Sequence, residues 1–227
     1  MEQWIRDGRV TVNGIVAGIG TRVTPRDLVR VDKHEVRWPA PRRLPRVLIY
    51  HKPEGEIASR DDPQGRPTVF AKLPRLRGAK WLAVGRLDYN TCGLLIFTTS
   101  GELANRMMHP SFAVEREYAV RTLGRLSPEQ VAKLKSGIML DDGIARCSAV
   151  EDEGGEGANH WYRIVLAEGR NRVVRRMFEA LGLTVSRLLR VRFGIISLPP
   201  RLKRGQLNEL APEEVARLME WLKLKGD

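Results

Sequence analysis

The segment at residues 38–46, WPAPRRLPR, is the feature that most constrains how this chain can fold. Its three prolines lack a backbone N–H and fix φ, so neither a regular helix nor a central β-strand can pass through it. The segment is therefore predicted to be a linker. It divides the chain into a small unit at residues 1–37 and a larger domain at residues 47–227.

The small unit is predicted to contain a helix end followed by short strands. Residues 2–8 (EQWIRDG) are helical in character, and RVTV at residues 9–12 has strand composition. The dipeptide Asn13-Gly14 follows and is typical of a two-residue β-hairpin turn. LVRV at residues 28–31 is predicted to be another short strand. The unit is thus expected to be a small α/β module.

The larger domain mixes strand and helix patterns without a strict β-α-β alternation. Apolar or alternating runs predict strands, whereas amphipathic segments at residues 102–109, 171–183 and 212–226 predict helices. Ser100 and Ser127 are suitable N-terminal caps. The predicted fold class is α+β, with a mixed, largely antiparallel sheet and helices packed on it.

Charge is the strongest compositional clue to function. Lys and Arg number 39 against 27 Asp and Glu, which gives a net charge of +12. Residues 1–46 carry a net +5 and residues 170–192 a net +6, whereas EDEGGE at residues 151–156 is acidic and is predicted to be a solvated turn. Two separate basic stretches favour a polyanion partner, with nucleic acid first, although each stretch alone could be a solvated face.

Several other classes are disfavoured. No run of about 18 apolar residues is present, so a membrane-spanning helix is excluded. The N-terminus lacks the apolar core of a secretory signal. An acidic membrane surface is the second candidate partner for the positive charge, but it would need a basic amphipathic helix with Trp or Phe at its apolar edge. The tryptophans here are scattered along the chain, so this partner is disfavoured. Cys92 and Cys147 are too far apart for a CxxC site, so we expect reduced thiols in the cytoplasm.

The segment at residues 85–93, GRLDYNTCG, is the first candidate for chemistry. It holds Asp88 in a glycine-bounded loop between two apolar runs, where a rigid scaffold can position a reacting group. The composition alone favours a turn aspartate that only hydrogen-bonds its own backbone. Arg86 beside it could contact a phosphate or replace a base removed from its stack, or it could be an exposed ion pair of little energetic value.

The second candidate is the arginine-rich segment at residues 168–178, EGRNRVVRRMF. Gly169 and Asn171 suit a strand-to-helix turn, and the amides at such a helix start could take a phosphate. Arg175 and Arg176 flank an apolar helical stripe. They could equally be arginines that cover a core helix with their aliphatic stems.

These regions together resemble the pseudouridine synthases that modify ribosomal RNA at single uridines. The resemblance is carried by GRLDYNTCGLLIFTTSGELA, EREYAV, and EGRNRVVRRMFEALG with SRLLRVRFG, in that order along the chain. It extends over about residues 45–212, and residues 2–37 resemble the later part of an S4-type RNA-binding module. The larger domain is therefore expected to be a catalytic domain, and the small unit an S4-like module that lacks its first helix.

The resemblance implies roles for particular residues. Asp88 matches the family's nucleophilic aspartate, Tyr118 the tyrosine that packs on the uracil ring and has been proposed as a proton acceptor, and Arg175 the basic partner of the aspartate. Arg86 resembles the arginine that fills the space of the flipped base, and Leu189 resembles an apolar residue of the pocket. The remaining predicted RNA contacts are Arg170, Arg172 and Arg176. Tyr118 as a sheet-face aromatic and Arg175 as a structural residue remain alternatives.

The implied reaction isomerises a uridine to pseudouridine after the base leaves the RNA stack. Nothing is oxidised and nothing leaves, so neither a cofactor nor a metal is expected, and the four histidines have no ligand spacing. The implied partner is a structured stem-loop of ribosomal RNA, in the large (23S) subunit or its precursor, bound by a monomer. A different uridine, or a non-catalytic role in RNA binding or ribosome assembly, remains the alternative.

Overall fold

The computed structural model describes residues 2–24, 27–36, 44–60 and 62–224. The chain forms two compact units that divide between residues 43 and 44. Most of the predicted linker at residues 38–46 lies outside the described residues, so the linker stays a prediction.

The N-terminal unit is a short helix followed by four short antiparallel strands. Its elements are α1 (Glu2–Arg6), β1 (Val10–Val12), β2 (Ile15–Val16), β3 (Val29–Val31) and β4 (His34–Glu35), with strand order β2-β1-β3-β4. Asn13 and Gly14 have φ of 52° and 86° and place Val12 opposite Ile15. Two positive φ values are what a two-residue hairpin turn requires, so the hairpin prediction is confirmed.

The larger unit is built on one sheet. Its strands are β5 (Val47–Lys52), β6 (Leu82–Val84), β7 (Cys92–Thr98), β8 (Arg116–Leu123), β9 (Ile138–Leu140), β10 (Gly143–Ala145), β11 (Ala149–Glu156), β12 (Asn159–Leu166), β13 (Thr184–Phe193), β14 (Ile196–Ser197) and β15 (Leu207–Glu209). Its α-helices are α2 (Gly101–Met108), α3 (Pro128–Ser136), α4 (Val173–Glu179) and α5 (Pro212–Trp221). Short 3-10 turns occupy Val69–Lys72 and Pro110–Phe112.

The sheet order is β11-β12-β8-β13-β7-β5-β15, with β14 beside β13 and β6 beside β7. Among these pairings only β7 with β13 is parallel in the described residues. The prediction of an α+β fold with a mixed, largely antiparallel sheet is confirmed. β9 and β10 form a separate hairpin.

The central strand β7 is buried along its whole length, because both faces of the sheet are covered. Leu94 and Ile96 belong to a core that includes side chains of α2 and α5. Leu95 and Phe97 belong to a second core that includes side chains of α4. The side-chain alternation of a strand therefore supplies two apolar layers at once.

The helix starts follow their capping residues. The Ser100 side chain accepts a hydrogen bond from the backbone N–H of Leu103, and Ser127 forms a capping box with Gln130 at the start of α3. α4 is shorter than the helix predicted over residues 171–183. It begins only after Arg172, whose left-handed φ of 48° is incompatible with a continuous helix.

The prediction of a solvated turn at residues 151–156 is wrong. These residues lie in β11, the edge strand that pairs with β12 through a bulge between Asp152 and Gly154. Asp152 is paired with Arg125 and His160, and Glu153 is paired with Arg163. Charged side chains are a common means of protecting an edge strand from pairing with another chain, and their composition made the segment resemble a loop.

Candidate active site

A cavity of about 830 Å³ opens in the larger unit, where the loop between β6 and β7 meets β8, β13 and the segment before α4. Its volume lies in the range of about 300–1,000 Å³ that is usual for ligand pockets. Its ionisable wall residues are Arg86, Asp88, Arg116, Tyr118, Glu168, Arg170, Arg172 and Arg190. The cavity therefore brings together segments that lie about 100 residues apart, and most of its charge is positive.

Asp88 lies on the wall of this cavity and is partly exposed. Gly85, with φ of 77°, turns the chain after β6, and the buried Leu87 anchors the loop in the core. The carboxylate makes no hydrogen bond or ion pair with any described residue. Asp88 is therefore held by its backbone and presents an unpaired carboxylate to the cavity.

Lys52 is the residue that holds this loop, and sequence reasoning missed it. It is buried at the end of β5, and its Nζ donates to the carbonyl oxygens of Pro53 (2.9 Å), Asp88 (3.1 Å) and Thr91 (2.9 Å). Burial lowers the pKa of Lys52 to about 8. A lysine that ends an apolar strand directly before a proline was the available signal.

Arg175, on α4, is buried and reaches the same loop from the other side. Its Nη2 donates to the carbonyl oxygen of Asn90 (2.9 Å), and its Nη1 donates to the carbonyl oxygen of Val185 (2.8 Å). Burial lowers the pKa of Arg175, and the charge of Asp88 partly offsets this. The charges of Arg175 and Asp88 therefore interact. The two side chains form no ion pair in the described residues.

Tyr118 is buried on β8 and lines the cavity. Its neighbours across the sheet are Ile164 on β12 and Arg190 on β13. The tyrosine and the aspartate predicted to act together therefore share one cavity, although they come from separate parts of the chain.

On β13 the cavity wall contains Leu188 and Arg190, whereas the predicted Leu189 is not part of it. Leu189 pairs with Cys92 on β7, beside Gly93. Neighbouring side chains of a strand point to opposite faces. Leu189 lies between two wall residues along the strand, so its side chain is on the face away from the cavity. Arg86 is exposed at the cavity, as an RNA contact requires.

The guanidinium groups of Arg170 and Arg176 are held by carboxylates. Arg170 pairs with Glu168 and Asp142, and Arg176 pairs with Asp141 (2.6 Å) and Asp142 (2.7 Å). The acidic tip of the β9–β10 hairpin thus neutralises part of the basic stretch at residues 170–192. Their role as RNA contacts stays a prediction.

Arg172 is less strongly engaged than these two. It lines the cavity, is largely exposed, and has Glu179 at 3.7 Å. Its left-handed backbone sets it apart from the helix that follows. Arg172 is therefore the more available of the predicted cations beside α4.

In the part of the chain that the structure describes, no three histidine, cysteine or acidic side chains converge as metal ligands. The expectation that neither metal nor cofactor is needed stays a prediction. Among the described helices, none is long and apolar enough to cross a membrane.

Comparison with known proteins defines the class. Residues 46–180 match the RNA pseudouridylate synthase family. These residues include the loop of Asp88, β8 with Tyr118, and α4 with Arg175. The chain belongs to the RNA pseudouridylate synthase family.

Individual relatives are similar over almost the whole chain. The ribosomal large subunit pseudouridine synthase B of Pseudomonas aeruginosa is 54% identical over 99% of this chain, which spans 59% of that protein. The protein of the same name from Escherichia coli (strain K12) is also 54% identical over 99% of this chain, which spans 78% of it. A crystal structure of a pseudouridylate synthase, 26% identical, superposes with a TM-score of 0.67 over 96% of this chain and 91% of its own.

Proposed function

We propose that this chain isomerises a uridine of large-subunit ribosomal RNA to pseudouridine, with Asp88 as the nucleophile. The observation that carries the proposal is the unpaired carboxylate of Asp88 on the cavity wall. The backbone of Asp88 is fixed by a hydrogen bond from Lys52, so the carboxylate is left free to react. The names of the two relatives support the ribosomal substrate.

In the proposed reaction, the target uridine leaves its stack and enters the cavity, at a cost of a few kcal/mol. Tyr118 offers a flat face against which the base can pack. Asp88 acts on the sugar, and the positive charge of Arg175 interacts with the Asp88 carboxylate from helix α4. A bond from the Asp88 carboxylate to C1′ forms as the N1–C1′ bond breaks, the base turns, and the C5–C1′ bond forms as the bond to Asp88 breaks. The C5 proton leaves and N1 takes up a proton, so the composition is unchanged.

The RNA contacts in this proposal come from exposed cations. Arg86 and Arg172 lie at the cavity and are placed to meet the RNA around the flipped base, and the N-terminal unit acts as an S4-like docking module. We infer that the protein acts as a monomer in the cytoplasm, the compartment that holds ribosomal RNA.

Release of tritium from 5-tritiated uridine in 23S ribosomal RNA tests the proposal. The wild-type protein should release tritium, and Asp88→Asn should abolish the release while it leaves RNA binding intact. Asp152→Asn is the matched control, since it removes a carboxylate on the edge strand β11 and should retain activity. Full activity of Asp88→Asn would contradict the assignment of the nucleophile.

A non-catalytic RNA-binding or ribosome-assembly role makes the opposite prediction. It predicts that the protein binds ribosomal RNA in a salt-sensitive way, and that neither the wild-type protein nor any variant releases tritium. The same assay therefore separates the two functions.

A further inference from the structure

Two arginines are buried in the wall of the cavity without an acidic partner. Arg116 on β8 is 7% exposed and Arg190 on β13 is 2% exposed. Neither has a carboxylate within ion-pair distance among the described residues. They differ in this from Arg170, Arg176 and Arg192, which are all paired with carboxylates.

Both guanidinium groups lie against the same aromatic ring. The Cζ atoms of Arg116 and Arg190 are 4.6 and 4.9 Å from the centroid of the buried Phe193. The register of β13 shifts between Arg190 and Arg192, so that Phe193 pairs with Arg116 while Arg190 pairs with Tyr118. This β-bulge changes the alternation of side chains and brings all four residues together.

Some N–H donors of these two arginines lack a hydrogen-bond acceptor among the described residues. Arg190 donates through Nε to the carbonyl oxygen of Leu94 (2.8 Å), but its buried Nη2 has no acceptor among the described residues. Among the described residues, Arg116 donates to the backbone carbonyl oxygens of Val114 and Ala167 and to no side chain. Two like charges are therefore buried side by side without an ion-paired carboxylate among the described residues, although the charge of Glu168 acts on Arg116 and the Tyr118 side chain interacts with Arg190.

Such an arrangement is costly in an empty pocket, because a buried charge without a partner loses its hydration. Burial accordingly lowers the pKa of both arginines, and the charge of Arg190 lowers that of Arg116 further. The neighbouring Tyr118, and for Arg116 also Glu168, partly offset this. The cost falls when the occupant of the pocket carries negative charge. Since the pair adjoins Tyr118, which is expected to pack on the base, that charge belongs on the base rather than on a phosphate.

The proposed reaction creates such a charge. When the N1–C1′ bond breaks, its electron pair stays on uracil, and the detached base is an anion delocalised over N1, O2 and O4. The charge is consumed when a ring electron pair forms the C5–C1′ bond. The C5 proton then leaves and N1 is protonated, so no oxidant or reductant is required.

We propose that Arg116 and Arg190, the buried arginine pair, stabilise the uracil anion while it is detached from the sugar. The proposal rests on the function proposed above and adds a role for residues that no comparison assigns. Preorganised positive groups of this kind contribute most where charge develops in a water-excluded site.

Single-turnover kinetics at saturating protein test this role. Arg190→Met should lower the rate constant about 100-fold, the effect of removing one preorganised donor. RNA affinity should change by less than about threefold, because buried residues do not contact the phosphate backbone. Arg190→Lys should recover at least about a tenth of the wild-type rate, since it keeps the charge. Arg192→Met is the control, as Arg192 lies on the same strand but is held by Glu117 and Glu115.

A second measurement on the wild-type protein does not depend on any variant folding. 5-Nitrouracil is mainly an anion at neutral pH, whereas uracil is neutral. The anion should inhibit at least about tenfold more strongly, because it resembles the charged intermediate.

Two results would overturn the proposal: equal inhibition by the two bases, or a folded Arg190→Met protein with a wild-type rate. Absence of tritium release from the wild-type protein is a different result, since it removes the function proposed above.

Discussion

Lys52 Nζ donates a hydrogen bond to the backbone carbonyl oxygen of Asp88 across 3.1 Å, which ties the end of β5 to the proposed nucleophile. The contact is made to the main chain and not to the carboxylate. The lysine therefore fixes where Asp88 lies without occupying the group that reacts.

The burial of Lys52 predicts that the free energy of unfolding depends on pH. Burial lowers the pKa of Lys52 from an ordinary 10.5 to about 8, so between these values the unfolded chain binds more protons than the folded chain. The charged lysine thus costs stability below pH 8, and the cost disappears as pH rises toward 10.5. Relative to Lys52→Met, the wild-type free energy of unfolding should rise by up to about 3 kcal/mol between pH 7 and pH 11. Urea titrations at several pH values measure this, and a constant difference would contradict it.

Gly93→Ala should strongly destabilise the larger unit. A Cβ at this position would overlap the backbone carbonyl oxygen of Arg190 and lie 2.7 Å from its backbone nitrogen, at a φ of 108°. The change should cost roughly 3 kcal/mol or more, because the parallel β7–β13 pair must separate. Gly154→Ala is the control, since it has a φ of 78° but open space around the Cβ. It should lose only about 1 kcal/mol, and equal losses in thermal unfolding would refute the steric argument.

Replacing Asp141 and Asp142 with asparagine should strengthen RNA binding. The double variant removes the carboxylates that neutralise Arg176 and one of the two that hold Arg170. The affinity for ribosomal RNA should rise several-fold, and its dependence on salt should become steeper. Filter binding at three salt concentrations measures both. Weaker binding would mean that these ion pairs position the arginines for RNA instead of masking them.

Arg175→Lys should impair turnover more than binding. A lysine carries the charge, but it cannot reproduce the planar fork that serves the carbonyl oxygens of Asn90 and Val185 together. The single-turnover rate should fall about 100-fold, as expected when the Asp88 loop loses its productive geometry, with little change in RNA affinity. A wild-type rate in this variant would show that only the charge of Arg175 matters.

The sequence predicted those features that depend on local pattern. The Asn13-Gly14 hairpin and the caps at Ser100 and Ser127 follow from short-range backbone chemistry, so their positions could be predicted without any tertiary contact. The fold class followed from the order of strand and helix patterns. Asp88, Tyr118 and Arg175 were selected by resemblance. That Asp88 and Tyr118 line one cavity, and that Arg175 contacts the Asp88 loop from outside that wall, required the sheet order.

The remaining features depend on contacts between distant residues. The sequence marks Lys52 only as an unusual lysine at the end of an apolar strand. Its contact with Asp88 could not be predicted, because the two lie 36 positions apart on different elements. The masking of Arg170 and Arg176 by Asp141 and Asp142 requires the β9–β10 hairpin to fold back beside α4. Local composition also misassigned residues 151–156, since an acidic edge strand has the residue content of a loop.

The β-bulge in β13 adds one residue to this strand without separating the side chains that meet in the cavity. Arg190 and Phe193 are three positions apart, and a regular strand would send them to opposite faces. Deletion of one residue between them would remove the bulge, leave Phe193 opposite Arg116, and keep Phe193 on the same face as Arg190. An alignment of relatives should therefore permit a single gap at this point, because proteins with and without the extra residue can share the same pocket.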